Sequence, residues 1–325
     1  MKYLISHVDL DGFGVNVLNT LYSDVLDFDE ILNLNYGFEE SPNVKELITP
    51  ENEIVITDLS LPEETYLEWK NTLKSLIVID HHESSVYLTH YEGNVWSVER
   101  CGTALFWEHY VLPRIKASRW ADDILSDSFT FSKVEKFVDL VDCYDRWLDN
   151  SSLWEDAARL NKLCVSMGAL PFIEHMVKKF HTLWEWTAEE YQCFGEIEER
   201  ENDILAEVEK DLELRKDSIG LDFVFIKIDE KSKLSMVCSK LMRKHPEIDY
   251  CVCYGGSRKS FSLRTNKDLN LTRIHGVMGH KQAAGAQFTK PEFYALLVDG
   301  KCLNWVKEGQ RKLDHLSIGE PLIST

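Results

Sequence analysis

The sequence lacks several features that define well-known protein classes. No stretch of about 18 or more residues is uniformly apolar, so no transmembrane helix is predicted. The opening residues, MKYLISHVDLDGFG, contain no long apolar segment with a small-residue cleavage site, and we expect a cytoplasmic protein. Internal repeats and low-complexity tracts are also missing. The length of 325 residues, with 44% hydrophobic residues, predicts a globular chain of two domains.

Positive charge is scarce. The chain has 36 Lys and Arg residues against 55 Asp and Glu residues, which gives a net charge of -19. An acidic protein attracts nucleic acid weakly through its overall field, so we expect no long duplex as a partner. Any contact with phosphate groups then requires local cations or bound metal ions.

The chain also lacks a CxxC pair, although it has eight cysteines. Cys251 and Cys253 lie in YCVCY, where the alternation of a strand places both on one face. A soft-metal site and a redox pair are alternatives there. Reduced thiols in a protein core are the favoured interpretation, and they suit a reducing compartment.

The pattern of apolar runs divides the chain into three parts. Residues 1–150 alternate short strands (KYLIS, EILNLNY, NEIVITD, LKSLIVID) with helical segments such as LPEETYLEWKNTLK, which predicts a parallel sheet. Residues 151–215 are predicted to be a helical linker that ends in EIEERENDILAEVEKDLELRK. That stretch suits a solvated spacer helix, with an interaction helix as the alternative. Residues 216–325, with LDFVFIKI, DYCVCYGG and KSFSLRT as strands, predict a smaller α/β domain.

Three predicted strands of the first domain end in acidic or imidazole side chains. Ligands of an open parallel sheet bind beyond the carboxyl ends of its strands, so these side chains are expected at one rim. Within HVDLDG, alternation places the histidine and both aspartates on one side while the chain stays extended, and Gly12 and Gly14 then allow a tight turn. The candidate rim residues are His7, Asp9, Asp11, Asp58, Asp80, His81 and His82.

A further acidic group follows in KFVDLVDCYDRW. Asp139, Asp142 and Asp145 are spaced i, i+3, so they share one face if this segment is helical. Carboxylates brought together need compensating cations, and carboxylates with imidazoles favour a hard divalent ion such as Mn²⁺ or Mg²⁺.

Each motif also has a purely structural interpretation. Asp58 alone would suit a helix N-cap, HVDLDG alone a turn, and DHH alone is short enough to arise by chance. The ordered combination of all of them favours a metal site.

The combination resembles the DHH phosphoesterase superfamily, whose name-giving motif is matched by Asp80-His81-His82. HVDLDG resembles the first motif of the superfamily, and the aspartate of VITDLS resembles the second. DLVDCYD resembles the fourth motif, in which Asp142 is the matching residue and Asp145 is the alternative. The segment MGHKQAAGAQF is similar to the GGGHxxAAG signature of DHHA1 substrate-binding domains, and SFSLRTN resembles the strand that supplies a phosphate-binding arginine, Arg264. The matching signature residues are Gly279, His280, Ala283, Ala284 and Gly285.

The sequence departs from the family pattern at two places. The glycine run is GVMG here, so the backbone approaches a substrate less closely. The first motif, H-x-D-x-D-G, is shorter than that of family pyrophosphatases. It is similar to the second class of nanoRNase (oligoribonuclease) and to RecJ-like phosphodiesterases, where we place the sequence.

The resemblance implies a site of defined composition. It implies an N-terminal DHH domain and a DHHA1-type second domain, with the active site in the cleft between them. Asp58 would bridge two divalent ions, which are Mn²⁺ by preference, with Mg²⁺ or Co²⁺ as alternatives. Asp80 would orient its neighbours, and His82 would contact the phosphate. Asp58, Asp80 and His82 form the implied catalytic set. The implied metal ligands are His7, Asp9, Asp11, Asp58, His81 and Asp142.

The second domain carries local positive charge. Residues 256–290 hold seven Lys and Arg residues against one acid, a local charge of +6. We therefore expect hydrolysis of a short oligonucleotide or dinucleotide to mononucleotides. A cyclic-dinucleotide or 3′-phosphoadenosine 5′-phosphate hydrolase, an inorganic pyrophosphatase and a non-catalytic nucleotide-binding protein are the alternatives, and a homodimer is left open. No membrane partner is expected.

Overall fold

The computed structural model describes residues 1–182, 184–217, 219–228, 234–254, 260–274, 277–279 and 281–287. The chain divides into two compact units, with the boundary between Gly195 and Glu196. Among the helices of the described ranges, none combines the length and the apolar composition needed to cross a bilayer.

The first unit contains a sheet of short strands and a larger number of helices. Its strands are β1 (Lys2–His7), β2 (Glu30–Leu34), β3 (Glu53–Thr57), β4 (Ser75–Asp80) and β5 (Val95–Trp96). Its helices are α1 (Leu10–Leu21), α2 (Ser23–Leu26), α3 (Pro42–Lys45), α4 (Glu63–Thr72), α5 (Gly102–Phe106), α6 (Leu112–Ala117), α7 (Ala121–Ser126), α8 (Ser128–Asp145), α9 (Trp154–Met167) and α10 (Ala169–Phe180). Short 3₁₀ helices lie at Phe38–Glu40 and Glu83–His90, and a π-helical turn lies at Trp107–Val111.

The strands of the first unit form one parallel sheet in the order β2-β1-β3-β4-β5. Alternate residues of the strands enter two different cores. Leu4, Val55 and Ile79 pack with helices on one face, whereas Ile5 and Val78 pack on the other face. Burial on both faces explains why these strands are continuous apolar runs rather than alternating ones. The predicted α/β class with a parallel N-terminal sheet is confirmed.

Helices α9 and α10, which lie in the predicted linker, belong to the first unit. Ala157, Leu160, Phe172 and Phe180 are buried in the same core as Leu4. The unit boundary falls within α11 (Ala188–Lys210). The division at residues 150 and 215, with a site between the domains, stays a prediction.

The second unit has a six-stranded, mostly antiparallel sheet in the order β10-β11-β9-β8-β7-β6, and its α-helices among the described residues are α12 (Leu234–Lys244) and the last part of α11. Only β7 and β8 pair in parallel among its described strands. The predicted spacer helix ends at Lys210, before Leu214, which opens a strand instead. The elements are β6 (Leu214–Lys216), β7 (Asp222–Lys227), α12 (Leu234–Lys244), β8 (Tyr250–Tyr254), β9 (Ser260–Arg264), β10 (Met278–Gly279) and β11 (Ala283–Gln287).

The cysteines of YCVCY lie in the core of the second unit, on one face of β8 as predicted. Cys251 and Cys253 are fully buried together with Cys238 of α12. The Sγ atoms of Cys238 and Cys253 are 3.0 Å apart, and all three are free thiols in the structure.

Candidate metal centre

His7 and Asp9 lie at the point where β1 ends and α1 begins. His7 is the last residue of the strand, and Asp9 is the N-cap of the helix, with its Oδ1 atom accepting a hydrogen bond from the Gly12 amide at 3.1 Å. The other carboxylate oxygen of Asp9 is 2.7 Å from Nδ1 of His7. Asp9 thus combines the capping role of a helix-starting aspartate with a contact to the neighbouring imidazole.

Asp9 still has an extended backbone, but Asp11 lies in the first turn of α1, so the extended run expected for HVDLDG is wrong beyond Asp9. A Cβ atom on Gly12 would lie 2.1 Å from the carbonyl oxygen of His7, so this glycine permits close approach of the backbone. The carboxylate of Asp11 is buried and accepts hydrogen bonds from the amides of Gly102 and Thr103, both at 2.7 Å. The N-terminus of α5 therefore holds Asp11 in place.

Asp58 follows β3 in a left-handed backbone conformation, with φ of 54°. Non-glycine residues adopt this conformation rarely, and where they do the surrounding structure imposes it, frequently at functional sites. The side chain is 3% exposed, and its Oδ1 atom lies 3.0 Å from Nε2 of His81. Its Oδ2 atom lies 3.8 Å from Nδ1 of His7, so the two oxygens face different imidazoles.

Asp80 is the last residue of β4, His81 and His82 follow it directly, and all three are buried. Asp80 Oδ1 lies 2.7 Å from Nδ1 of His82, and Nε2 of His82 lies 2.8 Å from the hydroxyl oxygen of Tyr36. Nε2 of His81 is within 3.6 Å of one oxygen from each of three carboxylates: Asp58, Asp11 and Asp145. The two histidines thus face different surroundings.

The structure places Asp145, not Asp142, beside this histidine. Oδ2 of Asp145 is 3.5 Å from Nε2 of His81. Asp142 instead accepts a hydrogen bond from the Cys101 amide at 2.7 Å, and its other oxygen pairs with Arg100 at 2.9 Å. Both acids lie on α8, as the spacing predicts, but the geometry does not support Asp142 as the fourth-motif ligand.

The side chains form three overlapping groups that could hold a metal ion. Within the described residues, these groups are His7 with Asp9 and Asp58; Asp11 with His81 and Asp145; and Asp58 with Asp80, His81 and His82. One oxygen of each of Asp58, Asp80 and Asp145 is buried without a hydrogen-bond partner within that same part of the chain. A buried carboxylate oxygen without a partner is unfavourable, and several together at one rim are what a divalent cation satisfies. Oxygen and imidazole donors without a thiolate fit Mn²⁺ or Mg²⁺.

The pKa values of the carboxyl groups separate into two sets. Burial, together with the charges of Asp11 and Asp9, raises the pKa of Asp58 and of Asp145 well above the ordinary value. Burial alone would also raise the pKa of Asp80, but the imidazoles of His82 and His81 outweigh it and hold that pKa below the ordinary value. Asp80 is therefore electrostatically paired by the protein, whereas Asp58 and Asp145 are not.

Arg264, at the end of β9, lies beside two of the other predicted substrate-binding residues, Ala283 and Ala284. Its Nε atom donates to the Ser235 hydroxyl at 3.0 Å, and Nη1 donates to the carbonyl oxygens of Leu263 at 2.8 Å and Ala284 at 3.3 Å. Ala283 pairs with Arg264, and Gly279 pairs with Ala284, across neighbouring strands. A Cβ atom on Gly285 would lie 3.2 Å from the Phe261 carbonyl oxygen, so this site is tightly packed. His280 lies outside the described residues.

Part of the predicted local positive charge is paired. Lys267 lies 2.6 Å from Asp249, and Lys281 lies 2.5 Å from Asp268. Asp249 lies outside the stretch in which the charges were counted, so the sequence window overstated the surplus. Arg258, Lys259 and Lys290 lie outside the described residues.

The segment that connects β5 to α5 was missed by the sequence analysis. Arg100 pairs with Asp142, Cys101 donates its amide to the same residue, and Gly102 donates to Asp11. A Cβ atom on Gly102 would lie only 2.7 Å from Cβ of Asp58, so a glycine is required. The signal was the Arg-Cys-Gly-Thr sequence before an apolar helical run, where helix amides with no intrahelical partner can hold carboxylates.

Comparison with known proteins places this geometry in a known fold. No protein-family model and no curated protein matches the sequence. Among solved structures, the pGpG-specific phosphodiesterase PggH from Vibrio cholerae matches with 13% identity and a TM-score of 0.50, over 91% of this chain and 96% of that one. The DHH domain of a member of a family of ribosomal proteins matches with 14% identity and a TM-score of 0.56, over 91% and 84%.

A longer protein with the same fold is RecJ from Thermus thermophilus, solved in complex with Mn²⁺. It matches with 13% identity and a TM-score of 0.51, over 90% of this chain, and this chain spans 50% of the RecJ chain. At these identities the likeness concerns the fold. The chain thus has the fold of DHH-domain proteins, and the resemblance inferred from its motifs is confirmed at that level.

Proposed function

We propose that the protein is a divalent-metal-dependent phosphodiesterase that hydrolyses short oligonucleotides or linear dinucleotides to mononucleotides. One observation carries the proposal. At the rim of the parallel sheet, buried carboxylate oxygens meet two buried imidazoles, and these oxygens have no hydrogen-bond partner among the described residues. The fold is shared with a pGpG-specific phosphodiesterase and with RecJ, which supports phosphodiester chemistry over other uses of a metal site.

The residues would hold two divalent ions, with Asp58 available to both. His7 and Asp9 would hold one ion, and Asp11, His81 and Asp145 would hold the other. The two oxygens of Asp58 lie 3.8 Å from His7 and 3.0 Å from His81, which supports a bridging role. Divalent ions bound there lower the pKa of coordinated water and neutralise charge on a phosphate. Mn²⁺ is the preferred ion, with Mg²⁺ and Co²⁺ as alternatives.

Asp80 and His82 orient a polar contact beside the metal positions. The carboxylate of Asp80 accepts the Nδ1 proton of His82 at 2.7 Å, which fixes the ring and directs Nε2 away from Asp80. That edge of the ring, where the Tyr36 hydroxyl lies 2.8 Å from Nε2, is the part of His82 that would meet a substrate phosphate. Asp80 thus acts through His82, as an outer carboxylate does for a ligating histidine.

Arg264 supplies the proposed phosphate contact of the second unit. The hydrogen bonds recorded for it among the described residues use Nε and Nη1. An arginine held along one edge by its own protein presents its remaining edge in a fixed direction, which favours recognition of phosphate oxygens. The small residues Ala283, Ala284 and Gly285 allow close approach at this place.

One panel of substrates tests the proposal. The protein is assayed with Mn²⁺ against a 5′-phosphorylated trinucleotide, linear pGpG, a cyclic dinucleotide, 3′-phosphoadenosine 5′-phosphate and pyrophosphate, with chelator-treated protein as the control. We expect metal-dependent release of mononucleotides from the trinucleotide and pGpG. Turnover of the cyclic dinucleotide, the bisphosphate or pyrophosphate alone would contradict the proposal in favour of the corresponding hydrolase. Binding without turnover would support a non-catalytic nucleotide-binding protein.

A further inference from the structure

Tyr36, which the sequence analysis did not single out, lies just after β2 at the edge of the metal centre. Its side chain is 61% exposed. Its hydroxyl oxygen is nevertheless 2.8 Å from Nε2 of the buried His82, and its ring centroid is 4.9 Å from that of His7. An exposed ring is thus attached at two points to residues of the proposed active site.

These contacts fix the orientation of the ring. The Asp80 carboxylate lies 2.7 Å from Nδ1 of His82, so the opposite side of that ring, Nε2, faces the Tyr36 hydroxyl. The ring contact with His7 limits rotation from the other side. A rigid, amphipathic ring of this kind presents a flat surface without further loss of side-chain freedom.

We propose that Tyr36 stacks on a nucleobase of the substrate and selects nucleotides over phosphate compounds without a base. The proposal rests on the proposed function, because it assumes that the scissile phosphate lies at the neighbouring metal centre. A base attached to that phosphate through one sugar lies within reach of a ring that contacts His7. Stacking tolerates any base, so Tyr36 distinguishes base from no base rather than one base from another.

Two measurements test the role of the ring. The first compares kcat/KM for a dinucleotide with that for the matched dinucleotide lacking one base. The second compares the affinities of AMP and ribose 5-phosphate in the presence of Mn²⁺ by calorimetry, which requires no turnover. The variants are Tyr36→Ala, Tyr36→Phe, which keeps the ring, and Tyr191→Ala, which removes a 51% exposed tyrosine of α11 as a matched control.

We expect wild type, Tyr36→Phe and Tyr191→Ala to prefer the ligand with a base by about tenfold or more in both measurements. Tyr36→Ala should lose this preference, and its activity on the base-free compound should equal that of Tyr36→Phe, which lacks the same hydroxyl. Loss of the hydroxyl in Tyr36→Phe is expected to alter kcat for both substrates equally. If Tyr36 had a purely structural role, Tyr36→Ala would also change kcat/KM by the same factor for both substrates.

Equal preferences in wild type and Tyr36→Ala overturn the inference, and so does a wild type without any preference. If no diester is hydrolysed but AMP binding still depends on Tyr36, the proposed function fails while nucleobase stacking stands. If diesters are hydrolysed without a Tyr36-dependent preference, the proposed function stands and the stacking role fails.

Discussion

The two units satisfy their charged groups in opposite ways. In the first unit, one buried oxygen of each of Asp58, Asp80 and Asp145 has no hydrogen-bond partner within the described residues. In the second unit, Arg264 donates to a hydroxyl and two carbonyl oxygens of its own unit. The first arrangement suits an added cation, whereas in the second the protein itself already holds the Nε and Nη1 atoms of the charged group.

Sheet topology accounts for this contrast. All strands of the first sheet are parallel, so their carboxyl ends and the acids that follow them meet at one rim. In the mostly antiparallel second sheet, strand ends alternate between the edges, and Arg264 lies beside the carbonyl of a neighbouring strand. Metal dependence is therefore expected to concentrate in the first unit.

Asp58→Asn should have the largest effect. Asparagine tolerates the left-handed backbone that residue 58 adopts, so the change removes the charge without new strain. Because Asp58 faces both metal positions, we expect activity to fall by at least about a hundredfold, beyond the usual effect of changing an outer residue. Saturating Mn²⁺ should raise the Tm of wild type but not that of the variant.

The metal-free Asp58→Asn protein should be at least as stable as metal-free wild type, because it lacks the charge whose burial, together with repulsion by Asp11 and Asp9, raises the pKa of Asp58. Near-normal turnover with a preserved Mn²⁺-dependent rise in Tm would exclude the metal assignment. Circular dichroism of both proteins checks that the fold is retained.

The variants Asp145→Asn and Asp142→Asn test which aspartate of α8 is the metal ligand. Asp145 faces His81, so we expect Asp145→Asn to lower kcat/KM by about 10- to 100-fold. Asp142→Asn removes the charge paired with Arg100, so it should lower the free energy of unfolding, with a smaller effect on kcat/KM. Asp139→Asn, at a half-exposed acid on the same helix, is the control. The reverse order of effects on kcat/KM would restore Asp142 as the ligand.

Arg264→Lys tests the second unit. Lysine keeps the charge but loses the fixed geometry provided by the carbonyl oxygens of Leu263 and Ala284. We expect KM for a short oligonucleotide to rise by about tenfold with little change in kcat or in Mn²⁺ affinity, a loss within the range of a charged hydrogen bond. A change in Mn²⁺ affinity would show that the two units are not separable in this way.

The pH dependence of metal-free stability should show the smallest effect. The folded-state pKa of Asp58 is raised above its ordinary value of 3.8, so its contribution is full below pH 3.8 and is lost as the pH rises through the raised pKa. The lowered pKa of Asp80 changes the free energy of unfolding only below pH 3.8. In chelator, the free energy of unfolding of wild type relative to Asp58→Asn should therefore decrease from pH 5 to pH 8. Parallel curves over that range would contradict the raised pKa.

Local patterns were sufficient for β1 to β4 and for most of the rim, but not for the two-residue strand β5 or for β6, whose residues were expected to be helical. The β-branched runs ending at Asp58 and Asp80 predict buried parallel strands, and the chain reversal after each strand brings the following acids to one edge. The conformation of HVDLDG was harder to predict, because the alternation of its residues suggested an extended run. The capping preference of Asp9 and the close approach permitted by Gly12 start a helix there instead. The second unit's basic stretch was overcounted because Asp249, distant in sequence, pairs with Lys267.

The sequence by itself determined which strands are buried and that acids and imidazoles follow them, since both depend on neighbours within a few residues. Only the tertiary structure decided that Asp145 rather than Asp142 faces His81, and that the amides of α5 hold Asp11. Residues three apart on a helix point in directions that differ by about 60°. Which of them faces the rim depends on how α8 packs against α5 and the sheet, and no local pattern records that packing.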